Sequence, residues 1–233
     1  FATGLILQKF LRANHNDVAR AFLQLQDTMK WRRSFFGPGG EIEKGWDEEK
    51  FKGLGYTSVI PRSNSSSSSN DRPIVISWNI YGATKDIRHT FTPLPEFLRW
   101  RVALMETTLS SLSLATAVHP IPDHTFGADP YQCLQIHDYL SVSFLRLPKE
   151  VREASKQTIE LFGRYYPETL EKKVMVNVPA VMGWVFGLVR RVVARETVGK
   201  MVVLGRGGDL SGVLGVGGVP GRYGGVGGEL EVV

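Results

Sequence analysis

The chain has 233 residues, 42% hydrophobic and 22% charged, with a formal net charge of +5. That is ordinary globular composition, enough for one large domain or one domain with a small helical partner. The mild basic excess suits an anionic membrane surface or nucleic acid, but no zinc spacing, clustered basic helix or aromatic RNP-like strand accompanies it, so nucleic acid is set aside.

Over residues 5–31 the apolar side chains fall at helical spacing: Leu7, Phe10 and Leu11, then Val18, Phe22, Leu25 and Met29. Asn16 or Asp17 is placed to cap a second helix, so the segment predicts two helices joined by a short turn. The chain begins without Met inside this pattern and reads as lacking its natural start. Residues 36–61 are rich in glycine and charge and predict loop with fragments of helix. Residues 63–70 are a serine-rich tract without an apolar side chain, and predict a disordered insertion between a helical lobe and the main domain.

Strands and helices then alternate. Residues 73–81 (PIVISWNIY) predict a strand ended by Gly82, 95–114 a helix, 132–144 a strand, 149–162 a helix and 173–178 a strand. An apolar helix over 180–194 and a short strand over 201–204 follow. The order implies an α/β domain with a largely parallel or mixed sheet. Residues 205–228 are half glycine and predict weakly ordered loop. The longest apolar stretch, 174–189, contains Asn177 and Pro179 and stops at Arg190-Arg191, too short and interrupted for a spanning helix. The single Cys133 excludes an internal disulfide and, with no secretory signal in view, points to a reducing compartment.

Four stretches resemble one family in order and at family spacing. KFLRANHNDVARAFLQLQDTMKWRR (9–33) is similar to the N-terminal helical lobe of CRAL-TRIO proteins. RYYPETLEKKVMVNVPAVMGWVF (164–186) is similar to their tyrosine pair, Pro-Glu, strand ending in Asn-x-Pro, and apolar helix. ETVGKMVVLG (196–205) and VPGRYGG (219–225) complete the series. WNIYG, RWRVALME and QIHDYLSVSF look most like a fungal subgroup of that family, the non-classical phosphatidylinositol transfer proteins whose members bind haem. The resemblance implies an N-terminal lobe over 1–62, the insertion over 63–70, a CRAL-TRIO domain over 71–225 and a tail over 226–233. It implies an α/β CRAL-TRIO fold enclosing an apolar cavity. It also implies a phosphatidylinositol-binding and transfer protein that is not an enzyme, cytoplasmic, with peripheral association to endoplasmic reticulum and microsomal membranes. The alternative is a ligand-sensing or scaffolding domain with neither haem nor transfer activity.

The candidate site residues are few. In a strand, His137 and Tyr139 share a face with Gln135, Ser141 and Ser143, while Ile136, Leu140, Val142 and Phe144 take the other. That polar face is either a solvent-exposed edge or the lining of the cavity; the family resemblance implies the second. It further implies haem b held through its iron by Tyr139, with His137 beside the phenolate and Tyr81 in contact. Arg101 falls in the apolar stripe of its helix and needs an acceptor: an internal carboxylate such as Glu106 or Glu168, or an anionic ligand group such as a haem propionate. Lys173 is a second candidate for a propionate.

Glu168, Thr197 and Lys200 match positions that hold the inositol phosphate headgroup in phospholipid-binding relatives. Each also has an ordinary role open to it: helix-end or salt-bridge residue, N-cap and exposed charge respectively. The sequence departs from phosphate-binding members at Asn14-His15, where those carry basic residues. The helix over 180–194, with Trp184 and Phe186 followed by Arg190, Arg191 and Arg195, is either core or a gate that touches an anionic membrane. The glycine-rich tail lacks the order of a nucleotide loop, and His119, Asp123 and His124 lack a further ligand at zinc spacing.

Overall fold

The structure is a computed structural model; it describes residues 2–37, 39–40, 42, 45–61, 72–123, 128–142, 148–180 and 198–231. The serine-rich tract, Thr197 and the proposed gate beyond Ala180 lie outside the described residues. The chain forms two compact units, each discontinuous in sequence: Phe1–Lys50, Asp86–Gln132 and Pro148–Thr169 in one, Phe51–Lys85, Cys133–Leu147 and Leu170–Val233 in the other.

The first unit is helical. Helix α1 (Ala2–Ala13) and α2 (Val18–Phe36) are joined by a turn in which His15 and Asn16 take positive φ. Asp17 is the N-cap of α2, its carboxylate accepting the Arg20 N–H at 3.0 Å. After α3 (Glu48–Phe51) and α4 (Ile87–Phe91) come α5 (Leu94–Ser111) and α6 (Lys149–Tyr165). The WRR and RYY motifs meet: Trp31 stacks on Tyr165 at 4.3 Å, and Phe36, Val102, Met105 and Tyr166 form a core around them. Arg32 makes paired hydrogen bonds of 2.7 and 3.0 Å to Glu106, which also accepts the Tyr166 hydroxyl at 2.6 Å.

Both helices form as the spacing predicts, but much of the apolar series stays outside. Val18, Phe22 and Met29 of α2 and Leu7 of α1 are exposed, and α2 buries Ala21, Thr28 and Phe36 instead. The helix has two apolar faces, and the one that carries Trp31 and Phe36 packs on α5 and α6.

The second unit is a five-stranded sheet in the order β1 (Gly55–Ile60), β2 (Ile74–Ile80), β3 (Cys133–Asp138), β4 (Leu170–Val176) and β5 (Met201–Val203). β1 is antiparallel to β2 and all other pairs are parallel. Sequence patterning missed β1, a short strand in a glycine- and charge-rich stretch. β3 stops at Asp138, not at 144: Val142 N–H bonds to the Tyr139 carbonyl and Ser141 takes φ 66, so the expected alternation ends at Tyr139.

The glycine-rich tail is ordered structure, not loose loop. A 3-10 turn (Gly207–Asp209), α7 (Leu210–Leu214) and a second 3-10 turn (Gly221–Tyr223) set Leu210, Val216, Val219 and Tyr223 against Ile76, Trp78, Ile136 and Val174 of the sheet. Gly224, Gly225 and Gly227 are needed for closeness, because a Cβ on each would meet a backbone carbonyl. A Cβ on Gly224, at φ 81, would sit 2.1 Å from the Gly208 carbonyl oxygen.

Candidate functional site

In register, residues paired across parallel strands stand on the same face of the sheet. One row crosses all five strands as Thr57, Ser77, Gln135, Lys173 and Met201; the next is Gly55, Asn79, His137, Met175 and Val203. The opposite face carries the hydrophobic core with the tail. The rows therefore concentrate hydroxyl, amide, amine and imidazole groups on one face, yet Thr57, Ser77, Asn79, Gln135 and His137 are all buried. Because β3 is the central strand, the solvent-exposed edge that the polar alternation allowed does not exist.

At the C-terminal ends of β2 and β3 the chain brings three rings together. Tyr81 opens a 3-10 turn directly after β2. Its ring lies 5.6 Å from that of His137 and 5.5 Å from that of Tyr139, and the His137 and Tyr139 rings are 6.5 Å apart. Tyr139 is half-buried and packs with Met175, Val178 and Met201. The cluster depends on Gly82. A Cβ there would lie 1.9 Å from the Leu140 carbonyl oxygen, so only glycine lets the turn after β2 close on the turn after β3.

Beneath the rings is a network that sequence reading did not single out. The Asp138 carboxylate accepts the Leu140 N–H at 2.9 Å, the Asn177 amide at 2.7 Å and the Tyr223 hydroxyl at 2.7 Å. Asn177, itself at φ 59, accepts the Gly207 N–H at 2.7 Å. Burial, then the bond to Asp138, raises the Tyr223 phenol above its ordinary value. The available signal was a polar side chain closing each of two adjacent buried strands, Asp138 and Asn177, in the region where parallel sheets place their ligands.

The remaining candidates fall in both units. Lys173 is half-buried on the polar face, one row from His137. Lys200 donates from Nζ to the Leu170 carbonyl at 2.8 Å, and its own carbonyl accepts the Lys173 N–H at 2.9 Å. Glu168 belongs to the first unit, at φ 53. Its carbonyl accepts Lys9 Nζ at 2.8 Å and the Gln132 amide at 3.2 Å. Arg101, also in the first unit, is buried in α5 with its guanidinium 5.6 Å from the Trp100 ring and 5.5 Å from that of Phe162. Thr197, like Trp184, Phe186 and the arginines that follow, lies outside the described residues. Among the described residues no three His, Cys, Asp or Glu side chains converge on a metal-sized site, and no helix is long and apolar enough to cross a membrane.

The model of the CRAL/TRIO domain family matches residues 67–225. The chain is 49% identical over its whole length to a phosphatidylinositol transfer protein SFH5 of Phaeosphaeria nodorum, of which it spans 69%. It is 44% identical to a protein of the same name from Cryptococcus neoformans, spanning 99% of this chain and 78% of that one. For a Sclerotinia sclerotiorum relative the identity is 45%, but the chain spans only 54% of it. Among solved structures, a crystal structure of Sfh5 superposes with a TM-score of 0.76 at 27% identity, covering 97% of this chain and 72% of that one. The sheet with its polar face, the order of the motifs and these matches together establish that the chain belongs to the CRAL/TRIO family.

Proposed function

We propose that this protein binds phosphatidylinositol and carries it between membranes. The observation that carries the reading is the 49% identity over the whole chain to a relative named as a phosphatidylinositol transfer protein. The reading is supported by a sheet whose polar side chains Ser77, Asn79, Gln135 and His137 are buried, a setting in which polar ligand groups are shielded from water. The test is movement of labelled phosphatidylinositol from donor to acceptor vesicles by the purified protein. Glu168 and Lys200 are examined singly, because Glu168→Gln leaves its carbonyl bonds in place whereas Lys200→Met also removes the Nζ bond to the Leu170 carbonyl. A rate no faster than spontaneous exchange overturns the reading. Unchanged transfer by both variants moves the headgroup elsewhere.

A second reading is favoured by the ring cluster. We infer that Tyr139 serves as the iron ligand of haem b, with His137 beside the phenolate and Tyr81 against the macrocycle. The residues fit such a group in chemistry: a half-buried phenol, a buried imidazole and a second phenol converge at the strand ends, with the Lys173 ammonium on the same face. A phenol of ordinary pKa about 10 becomes a good ligand only when ferric iron and nearby positive charge favour the phenolate. Bound haem would supply a ferric centre, and an anionic oxygen ligand holds that state against reduction. The protein is expressed with haem precursor as wild type and Tyr139→Phe. Loss or shift of the Soret band in the variant is expected, and two colourless proteins or two identical spectra refute the assignment.

A further inference from the structure

Helix α2 carries an apolar face that is left exposed among the described residues. Val18, Phe22, Leu23 and Met29 are exposed by 70, 62, 62 and 60%. At about 100° per residue, Val18, Met29 and Phe22 fall within a stripe about 40° wide. The wider band from Val18 round to Leu23 spans about 140° and adds Ala19, Gln26, Lys30 and Arg33, with no carboxylate; Phe36, about five turns on from Val18, returns to its edge and is buried. Asp27 lies just beyond the band and is paired with Arg164. Over α1 and α2, with the turn between them, six basic side chains stand against two acidic ones, and α1 adds Ile6 and Leu7 as further exposed apolar groups.

At the C-terminal end of α2 the stripe runs into a groove of about 500 Å³ lined by Met29, Arg32, Arg33, Phe36, Gly37 and Gly40. Apolar walls there stand beside two guanidiniums, one of them already bonded to Glu106.

Four large apolar side chains on one helix face, left in water, mark a surface that meets something else. The charge pattern says what. Cations interleaved with apolar groups and no acid suit the headgroup layer of an anionic membrane, where the apolar side chains enter the acyl boundary and Lys30 and Arg33 meet phosphate. We propose that the outer face of α2 is a membrane-docking surface for anionic bilayers. This surface uses no residue of 180–194 and does not depend on what cargo the protein carries.

The test reads the local surroundings of α2. Cys133 is buried, so a single cysteine introduced on the surface can be labelled selectively. An environment-sensitive fluorophore is placed at Phe22→Cys, with Met29→Cys as a second probe and exposed Glu160→Cys on α6 as control. Folding of each is checked by circular dichroism. With phosphatidylcholine vesicles containing phosphatidylserine, labels at 22 and 29 shift to the blue and are quenched by brominated acyl chains, and the label at 160 stays aqueous. Lys30→Gln with Arg33→Gln weakens vesicle binding about thirtyfold, roughly fivefold for each charge removed.

The proposal is overturned if the protein sediments with vesicles while labels at 22 and 29 remain aqueous, or if it does not bind anionic vesicles. It is equally overturned if both labels are already shielded without vesicles in a particle of twice the monomer mass, because a second copy then covers the face. Absence of phosphatidylinositol transfer with docking intact leaves this proposal standing and refutes only the transfer reading.

Discussion

Replacing Tyr223 with Phe tests whether the glycine-rich tail is held to the sheet by one buried carboxylate. Both partners are nearly sealed from water, Tyr223 at 1% exposure and Asp138 at 4%. Phe keeps the ring and its 4.8 Å stack on Trp78, so the substitution removes the 2.7 Å hydrogen bond and little else. A hydrogen bond to a charged acceptor contributes about 1.5–3 kcal/mol, and the Asp138 oxygen left behind cannot recover it from solvent. We expect a loss of about 2 kcal/mol, near the middle of that range.

The loss is local in origin, so hydrogen exchange read by mass spectrometry is the right assay. Amides of residues 205–227 should lose protection by about thirtyfold. Amides of α1, α2 and α6, in the other unit, should not change. Asp138→Ala leaves the Leu140 N–H, the Asn177 amide and the Tyr223 hydroxyl without their shared acceptor and should cost more, about 3 kcal/mol or above. Equal protection in Tyr223→Phe and wild type, or a loss spread evenly over both units, refutes the idea of a latch.

Three further outcomes follow from the same geometry. Tyr166 and Tyr223 both have raised phenol pKa values, chiefly through burial, so the folded protein keeps two protons that the unfolded chain releases near pH 10. Stability should therefore hold below about pH 10 and fall above it by roughly 1.4 kcal/mol per pH unit for each tyrosine; an alkaline urea series in which Tyr166→Phe and Tyr223→Phe lose as much as wild type contradicts this. Lys9→Met removes a buried ammonium that donates to Asp129, the Tyr131 carbonyl and the Glu168 carbonyl, and should cost about 3–5 kcal/mol in urea unfolding. Adding Asp129→Asn should recover part of it, and a double variant no better than the single one refutes the ion-pair account. Gly82→Ala should force the Leu140 turn aside at a cost of about 1–3 kcal/mol and alter the surroundings of Tyr139, and an unchanged unfolding midpoint would show that the contact is slack.

What could be read from the sequence followed from how local each signal is. β2, α5, α6, β4 and β5 were legible because β-branched runs and helical spacing act within a few residues, and the Asp17 cap was written in the chain. The pairing of His137 with Tyr139 was legible for the same reason, since two-residue spacing in a strand fixes a common face. Tyr81 joining them was implied only by the family resemblance and not by local spacing, because it depends on Gly82 approaching a backbone carbonyl nearly sixty residues away. The tail failed similarly: abundant glycine was read as weakly ordered loop, whereas Gly224 is there because two backbones touch.

Helix α2 forms as the spacing predicts, but its rotation is not legible in the sequence, and the reason makes the helix informative. Helical spacing reveals that an apolar stripe exists, but not which of two stripes faces the core. Val18, Phe22, Leu25 and Met29 form the more regular series, yet the fold buries the face with Ala21, Thr28 and Phe36, because Trp31 stacks on Tyr165 and Arg32 is fixed by Glu106. Aromatic stacking and a bidentate ion pair are directional, so they decide the rotation of the helix where undirected apolar burial leaves it open. Once that rotation is set, Val18, Phe22 and Met29 must face water or a partner. A sequence that needed only a stable helix could have placed lysine or glutamate at those positions at no cost to the core. Apolar side chains standing there beside Lys30 and Arg33 are the reason to look for a membrane on that side of the molecule.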